Sequence, residues 1–421
     1  MLAAAALGFA HGGVAADVDY RDTLERAVTP LSDLLAPPMD FFDVFVGDAE
    51  SYDSNLFRLQ SNVNDLATVI GPNASRADYI NTASVGTEGQ WTEGKQMIAL
   101  NARADDNHYS RNTDLNNVSG SGGLTWNWQF GNHLSGQLGG DFNRSLAGFY
   151  NTNVYTKDLV DRSEYFGSGR YQLGPHVTLS AGVLYQDTTL SADAAKANDN
   201  RRKIVDVGAE YATSVTTSIG VDYRYTDTTY SQDSFLNGVA FSPDYREDSP
   251  RLVLKYAPSE KTEIDAIVGY LKRDYTTNVI GDFRGDVWRV ALQWNPTGKT
   301  LILLTAYRNL QADFTAETDY FISNTVSLSP TWTPSEKLAL SLSLYHEQQD
   351  YVGSSLFSTA GVGRRDTITA EQMGVVFTPY YRAADRSFAI NGSFRHEQRD
   401  SNQAEASYTD NIARLGFLFK F

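Results

Sequence analysis

The chain has 421 residues, no cysteine and a formal net charge of −16. The missing cysteines exclude a disulfide framework, a thiolate metal site and a thiol nucleophile, and the negative charge argues against nucleic acid as a partner. The 24 tyrosines, 21 phenylalanines and 33 glycines favour strands and tight turns over helices. One large all-β domain is compatible with this length, since β-barrels are often longer than the average domain.

The N-terminal segment resembles the end of a secretory signal peptide. Leu2 to Ala10 form a short apolar core, and the small residues Val14 to Ala16 follow it. We therefore predict export and cleavage after Ala16, so that residues 1–16 are a signal peptide. No basic residue precedes the apolar core, so a signal peptide truncated at its start is one interpretation, and an apolar leader without a targeting role is the alternative.

Residues 17–40 form a leader before the first predicted strand. Apolar residues in this leader recur at helical spacing, at Leu24, Val28, Leu31 and Leu35. The spacing predicts a short periplasmic helix, and an unstructured leader is the alternative. No later segment approaches the length of apolar sequence that a membrane-spanning helix needs, so no such helix is expected.

Residues 41–421 repeat one unit, which is a strand, a short turn, a second strand and a longer polar loop. In the segment KLALSLSLYHEQQD, one face carries leucines and the other carries small residues: Leu338, Leu340, Leu342 and Leu344 against Ala339, Ser341 and Ser343. A two-residue period with one apolar side is typical of a strand that separates lipid from water. Short turns that alternate with long loops predict an outer-membrane barrel whose short turns lie in the periplasm and whose longer loops are extracellular.

Counting the alternating segments gives eighteen strands. We predict them near residues 41–50, 79–90, 94–106, 118–130, 133–144, 160–173, 176–188, 202–213, 216–229, 248–256, 261–273, 283–294, 299–311, 319–332, 337–349, 366–378, 386–399 and 407–421. Sixteen strands are the alternative, because the second and third segments have the weakest alternation. The predicted fold class is all-β, a single antiparallel transmembrane β-barrel in the cell outer membrane.

The last strand ends in alternating aromatic residues. Leu415, Phe417, Phe419 and Phe421 share one face. Because an unpaired strand edge is not tolerated in lipid, this strand should close the barrel against the first. Phe421 resembles the terminal aromatic signal that barrel-assembly machinery recognises. Further aromatics beside the short turns predict an interfacial girdle: Trp126, Trp128, Phe130, Tyr171, Tyr256, Trp294 and Trp332.

A distinctive motif, SYDSNLFRLQ, follows the first strand at Ser51 to Gln60. It contains Tyr52, Asp53, Ser54, Asn55, Leu56, Phe57 and Arg58. These seven residues resemble the YDSNLFR signature of the EpsL-like outer-membrane barrels of exopolysaccharide gene clusters, which are similar to a broader class of β-barrel porins. Further matching pieces are LTWNWQFGNHLSGQLG at 124–139 and SLAGF at 145–149. The resemblance implies a channel that exports an extracellular polysaccharide, with periplasmic export components as partners.

Two interpretations of the motif remain open. Asp53 and Asn55 can accept hydrogen bonds from their own loop as an Asx-type turn, which is a structural role. Phe57 and Arg58 can instead fold inward and narrow the pore.

The charged residues on the inward faces are the candidate transport path. They are Arg170, Arg224, Arg251, Arg289, Arg308, Arg395, Arg414 and Asp222. The planar guanidinium group suits the carboxylates of acidic sugars, which is the functional interpretation. The alternative is that opposite charges pair across neighbouring strands and simply solvate the lumen.

Catalysis is not expected, because none of the six histidines lies in a metal-binding pattern such as HExxH. The sequence therefore predicts no catalytic residue, metal or cofactor. Export of an extracellular polysaccharide is the first hypothesis, and a substrate-selective diffusion porin for oligosaccharides or anions is the alternative. A barrel that anchors a matrix polymer without conducting it is a third. The expected surroundings are outer-membrane lipid and lipopolysaccharide.

Overall fold

The computed structural model describes residues 42–149, 155–236, 239–277, 281–312, 320–352, 363–382 and 386–421. The predicted signal peptide and leader lie outside these ranges. Within them, no helix is long and apolar enough to cross a membrane. The short helical elements are α1 (Leu66–Val69) and three 3-10 turns at Thr113–Leu115, Asp193–Asn198 and Ala404–Ala406.

Twenty strands are described, of which eighteen form one sheet. In chain order they are β1 (Phe42–Asp53), β2 (Asp78–Glu93), β3 (Gln96–Tyr109), β4 (Asn117–Phe130), β5 (Leu134–Leu146), β6 (Leu159–Leu173), β7 (Val177–Leu190), β8 (Asn200–Ser214), β9 (Thr217–Tyr230), β10 (Ser234–Leu236), β11 (Val239–Phe241), β12 (Tyr245–Ser259), β13 (Thr262–Tyr275), β14 (Phe283–Thr297), β15 (Thr300–Ala312), β16 (Tyr320–Ser335), β17 (Leu338–Val352), β18 (Arg365–Arg382), β19 (Arg386–Ser401) and β20 (Tyr408–Lys420). Strands β10 and β11 pair only with each other, as a small hairpin between β9 and β12. The eighteen-strand prediction is confirmed.

The sheet closes on itself through β1 and β20, which run antiparallel. Val46 lies opposite Phe419, and the backbones of Val44 and Phe421 exchange two hydrogen bonds of 3.0 and 2.9 Å. Each remaining barrel strand pairs with its sequence neighbours in the same antiparallel sense. Closure satisfies the backbone groups that an open edge would expose to lipid, as predicted for the C-terminal strand.

The two faces of the wall differ as the alternation predicted. On β20 the outward residues Leu415, Phe417 and Phe419 are exposed, whereas Gly416 on the opposite face is buried. Large exposed aromatics also lie beside the short turns, for example Trp294 and Trp332. The outer face is therefore an apolar belt with an interfacial girdle at its periplasmic end.

Several strands extend further toward the extracellular side than the lipid-facing alternation indicated. The first was predicted to end at residue 50, but β1 continues to Asp53. Beyond the lipid belt the outward residues no longer need to be apolar, so the alternation fades while the backbone ladder continues. Asp53 at the end of β1 is buried on the inner side.

Candidate functional site: the lumen and its extracellular mouth

The YDSNLFR motif lies at the extracellular end of β1 and turns into the mouth of the barrel. Tyr52 faces outward, with its ring centroid 5.0 Å from that of Tyr79. The carboxylate of Asp53 accepts a 2.9 Å hydrogen bond from the Asn55 backbone N–H, which is the predicted Asx turn. Asn55 then donates from Nδ2 to the carbonyl oxygens of Leu59 and Thr409, at 2.8 and 3.0 Å. The motif thus ties the loop to the start of β20.

Arg58 is held between two inward carboxylates. Its Nη1 lies 3.1 Å from Asp53 Oδ2 and 3.0 Å from Asp410 Oδ2. Burial alone would lower the pKa of Arg58, but the attraction of Asp53 and Asp410 outweighs it and raises the pKa above its ordinary value. Arg58 also has a φ of 54°, a left-handed conformation that costs a non-glycine residue about 1–3 kcal/mol. The ion pairs therefore hold a strained turn in place.

Phe57 anchors the loop by apolar contact. Its side chain is 2 % exposed, and its ring centroid is 4.8 Å from that of Phe149 and 6.2 Å from that of Tyr155. Phe149 belongs to the SLAGF segment, so two separate pieces of the family resemblance meet here. The inward residues Ile80 and Tyr109 belong to the same cluster.

We call residues 54–77 the mouth cap, because they pack on the inner side of the extracellular opening. Arg76 stabilises the mouth cap by connecting two parts of it. Its guanidinium donates hydrogen bonds to Asn55 Oδ1 at 3.1 Å and to the Val63 carbonyl oxygen at 2.6 Å. The Asx turn and the inward packing of Phe57 therefore occur in one and the same loop.

On the inner wall formed by β8, β9 and β12, the charged side chains form ion pairs with one another. Asp206 accepts hydrogen bonds from Arg224 Nε at 2.8 Å and from Arg251 Nη2 at 2.7 Å. Arg251 also forms an ion pair with Asp222. The two arginines are therefore neutralised within the wall by the two aspartates, Asp206 and Asp222.

Further paired groups line the extracellular half of the lumen. Arg273 forms an ion pair with Glu247 and stacks over the Tyr245 ring, 4.1 Å from its centroid. Arg399 donates from Nε to Asp366 at 3.0 Å. All five side chains are buried. Such buried pairs make the mouth rigid and contribute little net charge to it, because each guanidinium is matched by a carboxylate.

Two candidate path residues differ from this pattern. Arg170 on β6 lies between Ser135 and Ser180 on its neighbouring strands, and its buried Nε has no hydrogen-bond partner. Arg414 on β20 lies between Ser51 and Ser393, and its buried Nε likewise has none. Among the described residues, no carboxylate forms an ion pair with either guanidinium. Neither guanidinium is therefore held by a contacting carboxylate, and the carboxylate that attracts Arg414 from a greater distance, Asp105, is itself paired with Arg103.

The remaining inward arginines have specific neighbours. Arg395 forms an ion pair with Glu397 on the same strand. Arg289 lies between Ile267 on β13 and Tyr307 on β15. Both residues are on the inner wall.

The placement predicted for Arg308 is wrong, because this residue faces outward. It lies opposite Trp288, and its guanidinium is 3.3 Å from the carboxylate of Asp286 and 3.0 Å from Asn324 Oδ1. After Thr300, the strand β15 continues with four consecutive apolar residues, Leu301 to Leu304, so both of its faces look suitable for lipid. Alternation alone could not assign the sides of this strand.

No group of three or more histidine or carboxylate side chains in the described ranges is placed to hold a metal ion.

Comparison with known proteins matches the C-terminal part of the chain to one family. The model of the family described as "Putative beta-barrel porin 2" matches residues 255–421, from within β12 to the last residue. None of the curated protein sequences compared with the chain matches it.

Several solved barrels are similar in structure. The outer membrane protein OpdK from Pseudomonas aeruginosa is 11 % identical, with 91 % of this chain and 100 % of OpdK covered at a TM-score of 0.46. A BenF-like porin from Pseudomonas fluorescens Pf-5 is 9 % identical, with 91 % and 100 % covered at 0.46. OccK9 (OpdG) from Pseudomonas aeruginosa is 9 % identical, with 90 % and 98 % covered at 0.47.

The closed eighteen-strand barrel, its apolar outer face and the family match define the class of protein. The chain is a porin-like β-barrel of the outer membrane.

Proposed function

We propose that this barrel is a substrate-selective diffusion porin for small solutes that carry a carboxylate, such as acidic sugars or other organic anions. One observation carries the proposal. Arg170 and Arg414 face the lumen without a carboxylate partner, whereas Arg224 and Arg251 on the same inner wall are neutralised by aspartates.

Charge pairing decides which arginines attract a solute. A guanidinium already bound to a carboxylate adds little to the field in the pore, because the two charges cancel at the distance of a passing ion. An unmatched guanidinium in a lumen with low-dielectric walls raises the local concentration of anions. It also offers two parallel N–H donors that fit a carboxylate.

The size of the solute follows from the mouth cap. An eighteen-strand barrel is wide enough for an aqueous lumen, but residues 54–77 pack on the inner side of its opening. The cap therefore favours small solutes over bulky ones.

Polysaccharide export remains the second candidate. It is supported by the YDSNLFR resemblance, now joined by the contact between Phe57 and Phe149 that links the motif to SLAGF. The match to a porin family supports a channel, but it does not indicate which solute passes or in which direction. The two unpaired guanidiniums are accounted for more directly by a pore that recognises small anions.

Replacing Arg170 and Arg414 together by glutamine tests the proposal. We expect anion preference to fall and glucuronate entry into proteoliposomes to slow by about tenfold or more, since a hydrogen bond to a charged group contributes about 1.5–3 kcal/mol. Glucose entry should not change. Reversal potentials across a planar bilayer and liposome swelling would measure both effects.

The matched control is replacement of Arg201 and Arg246 by glutamine, which removes the same charge from exposed outward positions. This control should behave like the unmodified barrel. An unchanged reversal potential and unchanged glucuronate entry in the Arg170 and Arg414 variant would refute the proposal.

A further inference from the structure

A short sequence pattern recurs at three successive periplasmic turns in the C-terminal half of the barrel. It consists of an aromatic residue, a proline two positions later and a lysine three positions after the proline. Its three copies are YAPSEK at 256–261, WNPTGK at 294–299 and WTPSEK at 332–337. The strand ladder shifts register beside the proline at each turn, as expected for a residue without a backbone N–H. The proline therefore has a structural role in the turn, and the role of the lysine remains to be explained.

Each of the three lysines extends to the next turn along the periplasmic rim. Its Nζ donates to the carbonyl oxygen of the proline there: Lys261 to Pro296 at 3.4 Å, Lys299 to Pro334 at 2.7 Å and Lys337 to Pro379 at 3.4 Å. All three lysines are exposed. An ammonium group has three N–H donors, so this contact leaves two of them for another acceptor.

An exposed aromatic side chain lies beside each lysine. The residue after the lysine is paired across the ladder with the aromatic residue of the next turn: Thr262 with Trp294, Thr300 with Trp332 and Leu338 with Phe377. These three rings are exposed on the outer face at the periplasmic end of the apolar belt. We call the resulting combinations the rim units: Lys261 with Trp294, Lys299 with Trp332 and Lys337 with Phe377.

The three preceding periplasmic turns carry other residues at the position of the lysine. They are His133, His176 and Thr216, and the following residue is again paired with an aromatic residue of the next turn. The Nδ1 atoms of the two histidines lie 3.1 and 3.0 Å from a backbone carbonyl oxygen at the next turn. A histidine thus makes the same contact as a lysine. The lysines therefore give one arc of the rim a positive charge that joining the turns does not require.

The ammonium groups of the rim units are available to an anion. Within the ranges that the structure describes, none of the three lysines forms an ion pair. An acidic residue directly precedes two of them, as Glu260 and Glu336, whereas a glycine precedes Lys299. We therefore expect Lys299 to attract an anion most strongly.

We propose that each rim unit binds the phosphate of an anionic phospholipid from the periplasmic leaflet of the outer membrane. The ammonium group contacts the phosphate oxygens, and the ring lies against the glycerol and the upper part of an acyl chain. Neighbouring strands are about 4.8 Å apart, so successive units lie about 10 Å apart along the rim and bind separate lipids. This inference goes beyond the proposed function, because it concerns the outer surface of the barrel and not the solute path.

The combination of charge and ring favours an anionic lipid over other anions. A free phosphate ion would contact the ammonium group but would gain nothing from the exposed ring. A zwitterionic lipid carries an ammonium group of its own, which repels the lysine and weakens its attraction to the phosphate. An anionic phospholipid lacks this repulsion and also places apolar groups at the level of the aromatic girdle.

Native mass spectrometry of the whole barrel in detergent counts the lipids that remain bound. The probes are phosphatidylglycerol, which is anionic, and phosphatidylethanolamine, which is zwitterionic. We expect the unmodified barrel to retain up to three more phosphatidylglycerol molecules than the variant Lys261→Gln, Lys299→Gln, Lys337→Gln. Each single change should weaken retention at its own unit by about fivefold, with the largest effect for Lys299→Gln.

The matched control replaces three lysines near the extracellular end by glutamine, namely Lys157, Lys203 and Lys272. Lys157 also donates to a backbone carbonyl oxygen, that of Asn116. This control should retain as much phosphatidylglycerol as the unmodified barrel, and so should a variant with arginine at all three rim positions. Heat-dependent gel mobility would verify that every variant is folded.

Three results would overturn the proposal. The first is equal retention of phosphatidylglycerol by the glutamine rim variant and the unmodified barrel. The second is equal retention of phosphatidylethanolamine and phosphatidylglycerol at the rim units. The third is complete displacement of phosphatidylglycerol by inorganic phosphate, which would assign the rim units to a free anion.

Discussion

Replacing Arg58 by alanine should detach the mouth cap and raise the conductance of the barrel. Arg58 is the cation between Asp53 and Asp410, and both carboxylates are buried. Removing one partner from a buried ion pair costs about 3–5 kcal/mol, because the remaining charge stays buried without compensation. Single-channel recordings in a planar bilayer would measure the conductance, and limited proteolysis would report release of residues 54–77.

Arg111→Ala is a suitable control for the Arg58 change. Arg111 lies at the same mouth, but its guanidinium is exposed, makes long contacts of 3.4 and 3.5 Å with Ser75 and Ala77, and lies 6.0 Å from the centroid of the Tyr79 ring. This variant should keep both the conductance and the protease resistance of the unmodified barrel. If Arg58→Ala also left both properties unchanged, the cap would not be held by the Asp53 and Asp410 ion pairs.

Leu342→Arg should impair assembly far more than Ser341→Arg. Leu342 is on the outward face of β17 within the lipid belt, where an arginine costs about 2–4 kcal/mol near the midplane. Ser341 is on the inward face, opposite Gly374 of β18, where a longer polar side chain can extend into the lumen. The fraction of folded barrel in the outer membrane, read from heat-dependent gel mobility, would compare the two variants.

The two positions are adjacent and receive the same side chain, so each serves as the control for the other. Similar amounts of folded barrel for both variants would mean that β17 does not separate lipid from water as described.

The barrel was predictable because lipid and water impose a strict two-residue period on each strand. Leu338, Leu340 and Leu342 alternate with small residues, and this pattern identified β17 and its faces without reference to any other strand. The same local signal located the closing strand through Phe417 and Phe419. Boundaries at the extracellular ends were less predictable, because the outward face is no longer restricted to apolar residues there.

The pairing of lumenal charges was not predictable, since it depends on register between strands. Arg224 and Arg414 look alike in sequence, as isolated arginines on alternating strands. Only the alignment of β8 with β9 places Asp206 opposite Arg224, while Arg414 lies beside serines. The outward side of Arg308 was missed for a related reason, because the apolar run before it gave no preference between the faces.

The YDSNLFR motif likewise makes some contacts that its own residue types predict and others that depend on residues far away in the sequence. Its Asx turn involves Asp53 and Asn55, which are two residues apart, and the residue types predicted it. Its inward packing depends on Phe149 and Asp410, which are far away in the sequence. Nothing in the motif itself indicates these partners.

The most direct test of the central claim is the rate at which glucuronate enters intact cells with and without this barrel. The diffusion-porin account predicts slower entry in cells that lack the chain, restored by the unmodified gene but not by the Arg170 and Arg414 double variant. Unchanged entry, together with loss of surface polysaccharide from the same cells, would contradict the account and establish polymer export.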